Sequence, residues 1–165
     1  LAEVLRLARE RQMTVCLDPK TRSFANYQPV TIITPNHQEA SEAAGIVIED
    51  EESLAQAGQK ILDSIDCRAA LITRGEEGMA LFTNDGVVTH IPTVAREVYD
   101  VTGAGDTVIA AYSLGLACGL SFIESANLAN HAGGIVVMKK GTASVSADEL
   151  VNSVSSWQEQ SAVSK

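Results

Sequence analysis

Apolar positions along the chain follow two patterns in turn, a helical spacing and a short unbroken run. Leu1, Leu5 and Ala8, with Val4 and Leu7 beside them, recur at helical spacing, while Glu3, Arg6, Arg9, Glu10 and Arg11 form the opposite face, which predicts a surface helix. Met13 to Leu17 is then a solid apolar run halted by Asp18-Pro19, as expected of a buried parallel strand opening into a loop. Thr31 to Thr34 repeats the design and stops at Pro35, before a helix start at Asn36 whose far end Gly45 can close. Acidic Glu49 to Glu52 leads into a helix through about Ser64, with Leu54, Ala57, Ile61, Leu62 and Ile65 as its inner stripe. Ala69 to Thr73 reads as another buried strand. Met79 to Phe82 and Val87 to Ile91 flank Thr83-Asn84-Asp85-Gly86, a strong hairpin signal.

The second half of the chain is more helical. Pro92 to Tyr99 is an extended connection, followed by a helix from about Ala104 to Ala117 and a break at Gly119. Ser121 with Glu124 forms a capping box for a helix whose residues Ala126 to Met138 are small and apolar nearly all round, so it should be buried against its neighbour and the sheet. Lys139 to Ser144 is a loop. Ser146 with Glu149 starts a last amphipathic helix through about Trp157, ahead of a frayed tail from Ser161 to Lys165. Strands alternating with helices, plus one hairpin, predict an α/β fold with a mostly parallel sheet and an antiparallel margin.

Composition narrows the function. The 165 residues are 45% hydrophobic, enough for one domain with a sizeable core. Twelve basic against 21 acidic side chains give a net charge of −9, which argues against a nucleic-acid groove and leaves any phosphate ligand in need of local cations such as Mg²⁺. Cys16, Cys67 and Cys118 have no metal-like spacing and read as reduced core residues. With no spanning apolar run and no leading signal peptide, a cytoplasmic protein without a membrane partner is expected. A first residue that is not Met, inside a helical pattern, suggests a part of a longer protein.

Candidate chemistry gathers at Asp100-Val101-Thr102-Gly103-Ala104-Gly105-Asp106-Thr107. Gly103, Ala104 and Gly105 allow close backbone approach at a helix N-terminus, where unpaired amides and the dipole attract anions; small residues here also permit close helix packing. Asp106 on the same turn makes sense as a proton acceptor beside a bound phosphate. Asn36 and Glu39 form either a capping box or a pair that helps to hold a metal-bound water. Asp18 and Lys20 lie where a strand end could touch a ligand, or form an ordinary turn. His37 reads as a solvent-facing spacer, His90 as a strand end, His131 as a helix-packing residue and Trp157 as a helix anchor.

The run from Asp100 to Ser113 resembles the C-terminal signature of the ribokinase-like, or PfkB, family of carbohydrate kinases. Asn36-His37-Gln38-Glu39 is similar to the family's NxxE motif, Thr73-Arg74-Gly75 falls where its nucleotide-contacting strand end belongs, and Gly141-Thr142-Ala143-Ser144 resembles its late loop. The resemblance covers nearly the whole chain but only the later part of a family member. It implies a ribokinase-like three-layer α/β/α architecture in which residues 1–165 are the C-terminal portion of one kinase domain, without the N-terminal part that carries the sugar motif and a small β lid. Dimerisation through that lid is a further expectation. Asp18-Pro19-Lys20, the run from Arg96 to Thr107, and Gly141 to Ser146 look most like the kinase domain of ADP-heptose synthesis enzymes, which phosphorylate D-glycero-β-D-manno-heptose 7-phosphate at the anomeric hydroxyl.

The roles implied by the resemblance are as follows. Asp106 is the base for the sugar hydroxyl, and Gly103, Ala104 and Gly105 form the anion hole. Asn36 and Glu39 organise Mg²⁺, which favours the metal reading over the cap. Thr73 and Gly75 line the ATP site with Asn130 near adenine, and Lys20 meets a substrate phosphate unless it is simply an exposed lysine. Asp100, Thr102, Gly141 and Ser144 resemble a monovalent-cation site, so K⁺ joins ATP and Mg²⁺ among the implied cofactors. Two alternatives stand beside this reading: a ribokinase-like kinase for another sugar or nucleoside, and a nucleotide-binding module without turnover. The isolated chain is expected to bind nucleotide at most.

Overall fold

The computed structural model describes residues 1–20 and 24–163. They divide into two units, Leu1–Pro92 and Thr93–Lys165. The first unit holds a sheet of β1 (Cys16–Leu17), β2 (Ile32–Ile33), β3 (Ala69–Thr73), β4 (Met79–Thr83) and β5 (Val88–Ile91), with neighbours in that order. β1, β2 and β3 run parallel, and β4 and β5 add an antiparallel margin, as the hairpin signal required. β3 was predicted residue for residue because Ala69 to Ile72 are all fully buried, so nothing polar interrupts the run.

β1 and β2 are shorter than the apolar runs that contain them. The amides of Thr31 and Ile32 both donate to the Val15 carbonyl, at 2.8 and 3.1 Å, which breaks the regular ladder there. Met13 is 59% exposed and contributes nothing to the core. The helices of this unit are α1 (Ala2–Glu10), α2 (His37–Ala44) and α3 (Glu51–Ser64). α1 turns only Leu5 and Ala8 inward, leaving Leu1 and Val4 exposed, so its predicted stripe is narrower than drawn. The whole expected stripe of α3 is buried and packs with Ile33, Ile72, Ala80 and Phe82, each large aliphatic contributing about 1.5–3 kcal/mol of transfer free energy.

The second unit contains α4 (Ala104–Ala117), α5 (Phe122–Val137) and α6 (Ala147–Val163). The Ser121–Glu124 capping box is present, and α5 is buried along most of its length. Small residues let α4 and α5 approach: a Cβ on Gly115 would lie 2.8 Å from Ser125 Oγ, and one on Gly133 would lie 2.9 Å from Val108 Cγ2. His131 is buried, its Nδ1 lies 2.8 Å from Ser153 Oγ, and Trp157 meets its ring edge-on at 6.0 Å, which ties α6 to α5. α6 continues past Trp157 to Val163, so the expected fraying at Ser161 is not seen; residues 164 and 165 lie outside the described residues. Of the cysteines only Cys67 is buried. Cys118 is exposed beyond the end of α4, contrary to its expected core position. No helix among the described residues is long and apolar enough to cross a membrane.

Gly58 in α3 faces Phe82, where a Cβ would lie 2.4 Å from the buried ring. Gly58→Val is expected to cost about 2 kcal/mol, because overpacking at about 1–3 kcal/mol outweighs the small helix-propensity gain. Urea denaturation would report this as a lower midpoint with an unchanged slope.

Candidate active site

The Asp100–Thr107 segment is built around one carboxylate. Asp100 Oδ1 accepts from the Thr102 amide at 2.9 Å, and Oδ2 accepts from the Gly141 amide at 3.2 Å, so one side chain joins the turn before α4 to the loop after α5. Hydrogen bonds from Thr102, with a further one from Gly141, hold the Asp100 carboxyl below its ordinary value. The backbone of Tyr99 adds a second tie, donating to the Val137 carbonyl at 2.8 Å. Of the residues predicted for the monovalent-cation site, the structure therefore brings Asp100, Thr102 and Gly141 together, although Gly141 arrives as a donor.

Gly103 is the N-cap of α4 with φ of 77°, a left-handed conformation that favours glycine. A Cβ there would also come within 4.0 Å of Thr142 Cγ2. The first intrahelical bond runs from the Thr107 amide to the Gly103 carbonyl at 3.0 Å, and Thr107 Oγ1 donates to the same oxygen at 3.0 Å. The amides of Gly105 and Asp106 thus head the helix without intrahelical acceptors. The Ala104 amide is different: it donates to the Val101 carbonyl at 3.1 Å, so it is engaged in the turn, unlike the amides of Gly105 and Asp106. The Asp106 side chain is exposed beside these amides.

Behind the loop, Lys139 Nζ donates to the Ser144 carbonyl at 2.8 Å and pairs with Glu149 Oε1 at 2.6 Å. Glu149 Oε2 accepts from the Ser146 amide and hydroxyl at 2.9 and 3.0 Å. The Lys139 ammonium, then the Ser146 donors, pull the Glu149 carboxyl down to about 2. The pairing of Lys139 with Glu149 has no sequence signal, since the nine intervening residues follow no spacing rule and Glu149 reads only as the capping partner of Ser146. Asn130 lies buried on α5, 4% exposed, and its side chain is engaged within the fold.

In the first unit, Asn36 and Glu39 make both halves of a capping box: the Glu39 amide donates to Asn36 Oδ1 at 2.9 Å, and the Asn36 amide donates to Glu39 Oε2 at 2.8 Å. Asn36 also bridges Thr73 in parallel, continuing the sheet, and the Thr73 amide donates to the Pro35 carbonyl at 3.0 Å. The predicted metal and nucleotide residues of this unit are therefore neighbours. Gly75 follows at φ of 60°. Arg74 between them is nearly buried and pairs with Glu51 at 2.9 Å and Glu77 at 2.5 Å; these three, with His90, Ile91 and Pro92, line an open cleft of about 550 Å³. Lys20 pairs with Asp18 at 2.6 Å, and its side chain is 70% exposed. His37 is exposed as expected, and His90 lies on β5 with Nδ1 3.4 Å from Glu51.

A model described as pfkB family carbohydrate kinase matches residues 1–149. The chain belongs to that family. It is 53% identical over 154 residues to the "Bifunctional protein HldE" of Geobacter metallireducens, covering 93% of this chain and 31% of that protein. It is 44% identical over 149 residues to the HldE of Paramagnetospirillum magneticum, covering 90% and 30%. Among solved structures, Arabidopsis thaliana ribokinase complexed with ribose and ATP matches at a TM-score of 0.83 and 25% identity, over 92% of this chain and 50% of that one. Escherichia coli phosphofructokinase-2 in complex with potassium matches at 0.80 and 18%, over 91% and 49%. The fold is ribokinase-like, and the chain spans about a third of the length of these curated relatives.

The Glu149 carboxyl predicts a pH dependence. Its folded value of about 2 lies below its ordinary 4.5, so the stability it adds is fully present above pH 4.5 and is lost as pH falls from there toward 2. Glu149→Gln is expected to flatten this acid limb in thermal melts across that range; an unchanged limb would remove the Lys139–Glu149 pair as its source.

Proposed function

We propose that the chain is the C-terminal part of an ATP-dependent carbohydrate kinase domain whose sugar substrate is D-glycero-β-D-manno-heptose 7-phosphate, phosphorylated at its anomeric hydroxyl. The observation that carries the kinase reading is the exposed Asp106 carboxylate on the same helix turn as the amides of Gly105 and Asp106. An anion site alone gains nothing from a carboxylate there, whereas phosphoryl transfer needs both a base and an anion cradle. That one family model runs from residue 1 to 149 supports treating the two units as parts of one domain. The sugar is argued from the similarity to the proteins named HldE, together with the likeness of Asp18 to Lys20, Arg96 to Thr107 and Gly141 to Ser146 to heptose 7-phosphate kinase domains. Ribose in the Arabidopsis relative makes another sugar the alternative, at a lower identity of 25%. We place the protein in the cytoplasm, with a second copy docking through a lid as the family resemblance implies.

In the proposed reaction Asp106 takes the proton of the sugar hydroxyl while that oxygen bonds to the γ-phosphorus of ATP. The bond from phosphorus to the β,γ-bridging oxygen breaks, and ADP leaves. The amides of Gly105 and Asp106 and the dipole of α4 stabilise charge on the transferred group. Thr73 and Gly75 are assigned to the nucleotide, and Lys20 to the sugar phosphate, by the family's motifs.

Glu39 suits a place near Mg²⁺: the cap uses Oε2, leaving Oε1 for a metal-bound water, with Asn36 fixing the carboxylate. Among the described residues no group of three or more His, Cys, Asp or Glu side chains could hold a metal, which accords with an ion bound chiefly by nucleotide phosphates and water. When bound, Mg²⁺ neutralises phosphate charge. A K⁺ implied by the resemblance would draw on Asp100, whose two oxygens each accept one amide hydrogen and keep lone pairs for a cation, while the Ser144 carbonyl accepts from the Lys139 ammonium.

Asp106→Asn in the enzyme that carries this chain should lower heptose 7-phosphate phosphorylation by about 10²–10⁴-fold, with ATP affinity retained. Unchanged turnover would take Asp106 out of the reaction, and preference for ribose over heptose 7-phosphate in the same assay would replace the sugar.

A further inference from the structure

We propose that Arg74 is a positioning residue for nucleotide: its side chain straps the turn that carries Thr73 and Gly75 to the first turn of α3, a role that rests on the kinase reading above, in which Thr73 and Gly75 line the ATP site. The strap itself lies wholly within Leu1–Pro92. β4 is antiparallel to both β3 and β5, so Thr73 and Ile91 end their strands at the same edge of the sheet, the edge at which α/β sheets receive ligands. The connection from β3 to β4 is closed by backbone, the Arg74 amide donating to the Gly78 carbonyl at 2.8 Å and the Gly78 amide to the Gly75 carbonyl at 3.1 Å. Those bonds shape the loop without attaching it to another element. On one flank the Thr73 amide ties it to the Pro35 carbonyl at 3.0 Å. On the other, Arg74 Nη2 meets Glu51 Oε1 at 2.9 Å in the first turn of α3 and Glu77 Oε2 at 2.5 Å in the loop, so helix and loop share one nitrogen. A Cβ on Gly75 would stand in open space, which leaves the backbone of this turn bare toward a ligand.

Stability alone does not account for an arginine here. Its side chain is 10% exposed, its Nε is buried with no hydrogen-bond partner among the described residues, and the carboxylates that it meets are 62% and 60% exposed. Ion pairs to such exposed carboxylates are screened by water and contribute little, whereas a buried guanidinium with an unpaired donor is unfavourable. An apolar side chain would fill the same space without that penalty. Nor does attraction of phosphate account for it, because the carboxylates of Glu51 and Glu77 outnumber the one guanidinium between them. What arginine supplies is a rigid planar head whose Nη2 carries two hydrogens, one for each carboxylate, and so fixes the loop against the helix in one orientation.

The test compares Arg74→Met, Glu51→Ala and the double variant in the enzyme that carries this chain, by calorimetric titration with ADP and Mg²⁺ and by ATP-dependent phosphorylation of heptose 7-phosphate. Arg74→Met is expected to weaken ADP affinity and raise the ATP KM by about tenfold with kcat within about twofold, and Glu51→Ala to weaken affinity by about threefold. The double variant should be no weaker than Arg74→Met, since both changes cut the same strap. A plain structural contact would lower the melting midpoint of Arg74→Met and leave nucleotide affinity unchanged, which overturns the proposal. So does tighter ADP binding by Glu51→Ala, the result expected if Arg74 acted on phosphate through its charge. A fall in kcat with an unchanged ATP KM overturns it as well. If Arg74→Met does not fold, the sign of the Glu51→Ala effect still decides, because Glu51 lies exposed at a helix start. Absence of ADP binding by the wild-type enzyme would overturn the kinase reading and the proposal with it. ADP binding without turnover of heptose 7-phosphate would replace the sugar and leave the calorimetry to judge Arg74.

Discussion

The second unit depends on one carboxylate meeting two backbone amides. The Asp100 side chain ties the turn before α4 to the loop after α5, beside backbone bonds from Tyr99 and Asp100 to the Val137 carbonyl at the end of α5. A carboxylate that accepts two amide hydrogens is a stronger tie than a neutral side chain could make, and it fixes direction as well as distance. The left-handed Gly103 and the free amides of Gly105 and Asp106 follow from that anchored turn. An anion cradle is useful only if its donors are already in place, because reorienting them during the reaction would cost the stabilisation they provide.

Asn36 with Glu39, Ser121 with Glu124, and the Gly86 turn each involve residues within a few positions of one another, and all appear as expected. β3 and α4 were placed to the residue, because unbroken burial and a glycine-rich start leave few other conformations. β1 and β2 were overdrawn because the sharing of the Val15 carbonyl is a ladder detail that periodicity does not encode.

The candidate site was legible in its positions and less so in its bonding. Asp100 and Gly141 were named together, but as ligands of an ion rather than as partners of each other. Ala104 was counted as an anion donor although its amide closes the preceding turn. A lysine in a loop carries no sequence pattern, and only the folded backbone brings Ser144 and Glu149 to Lys139. The capping box at Asn36 leaves room for the proposed place near Mg²⁺, since it uses only Oε2 of Glu39.

The central claim is that the amides at the head of α4 bind the phosphates of a nucleotide. Amide-resolved NMR during titration with ATP and Mg²⁺ tests it most directly. The account predicts saturable shifts of the Gly105 and Asp106 amides, with the Ala104 amide moving less because it stays bonded to Val101. Saturable nucleotide binding that leaves the Gly105 and Asp106 amides unmoved would contradict it.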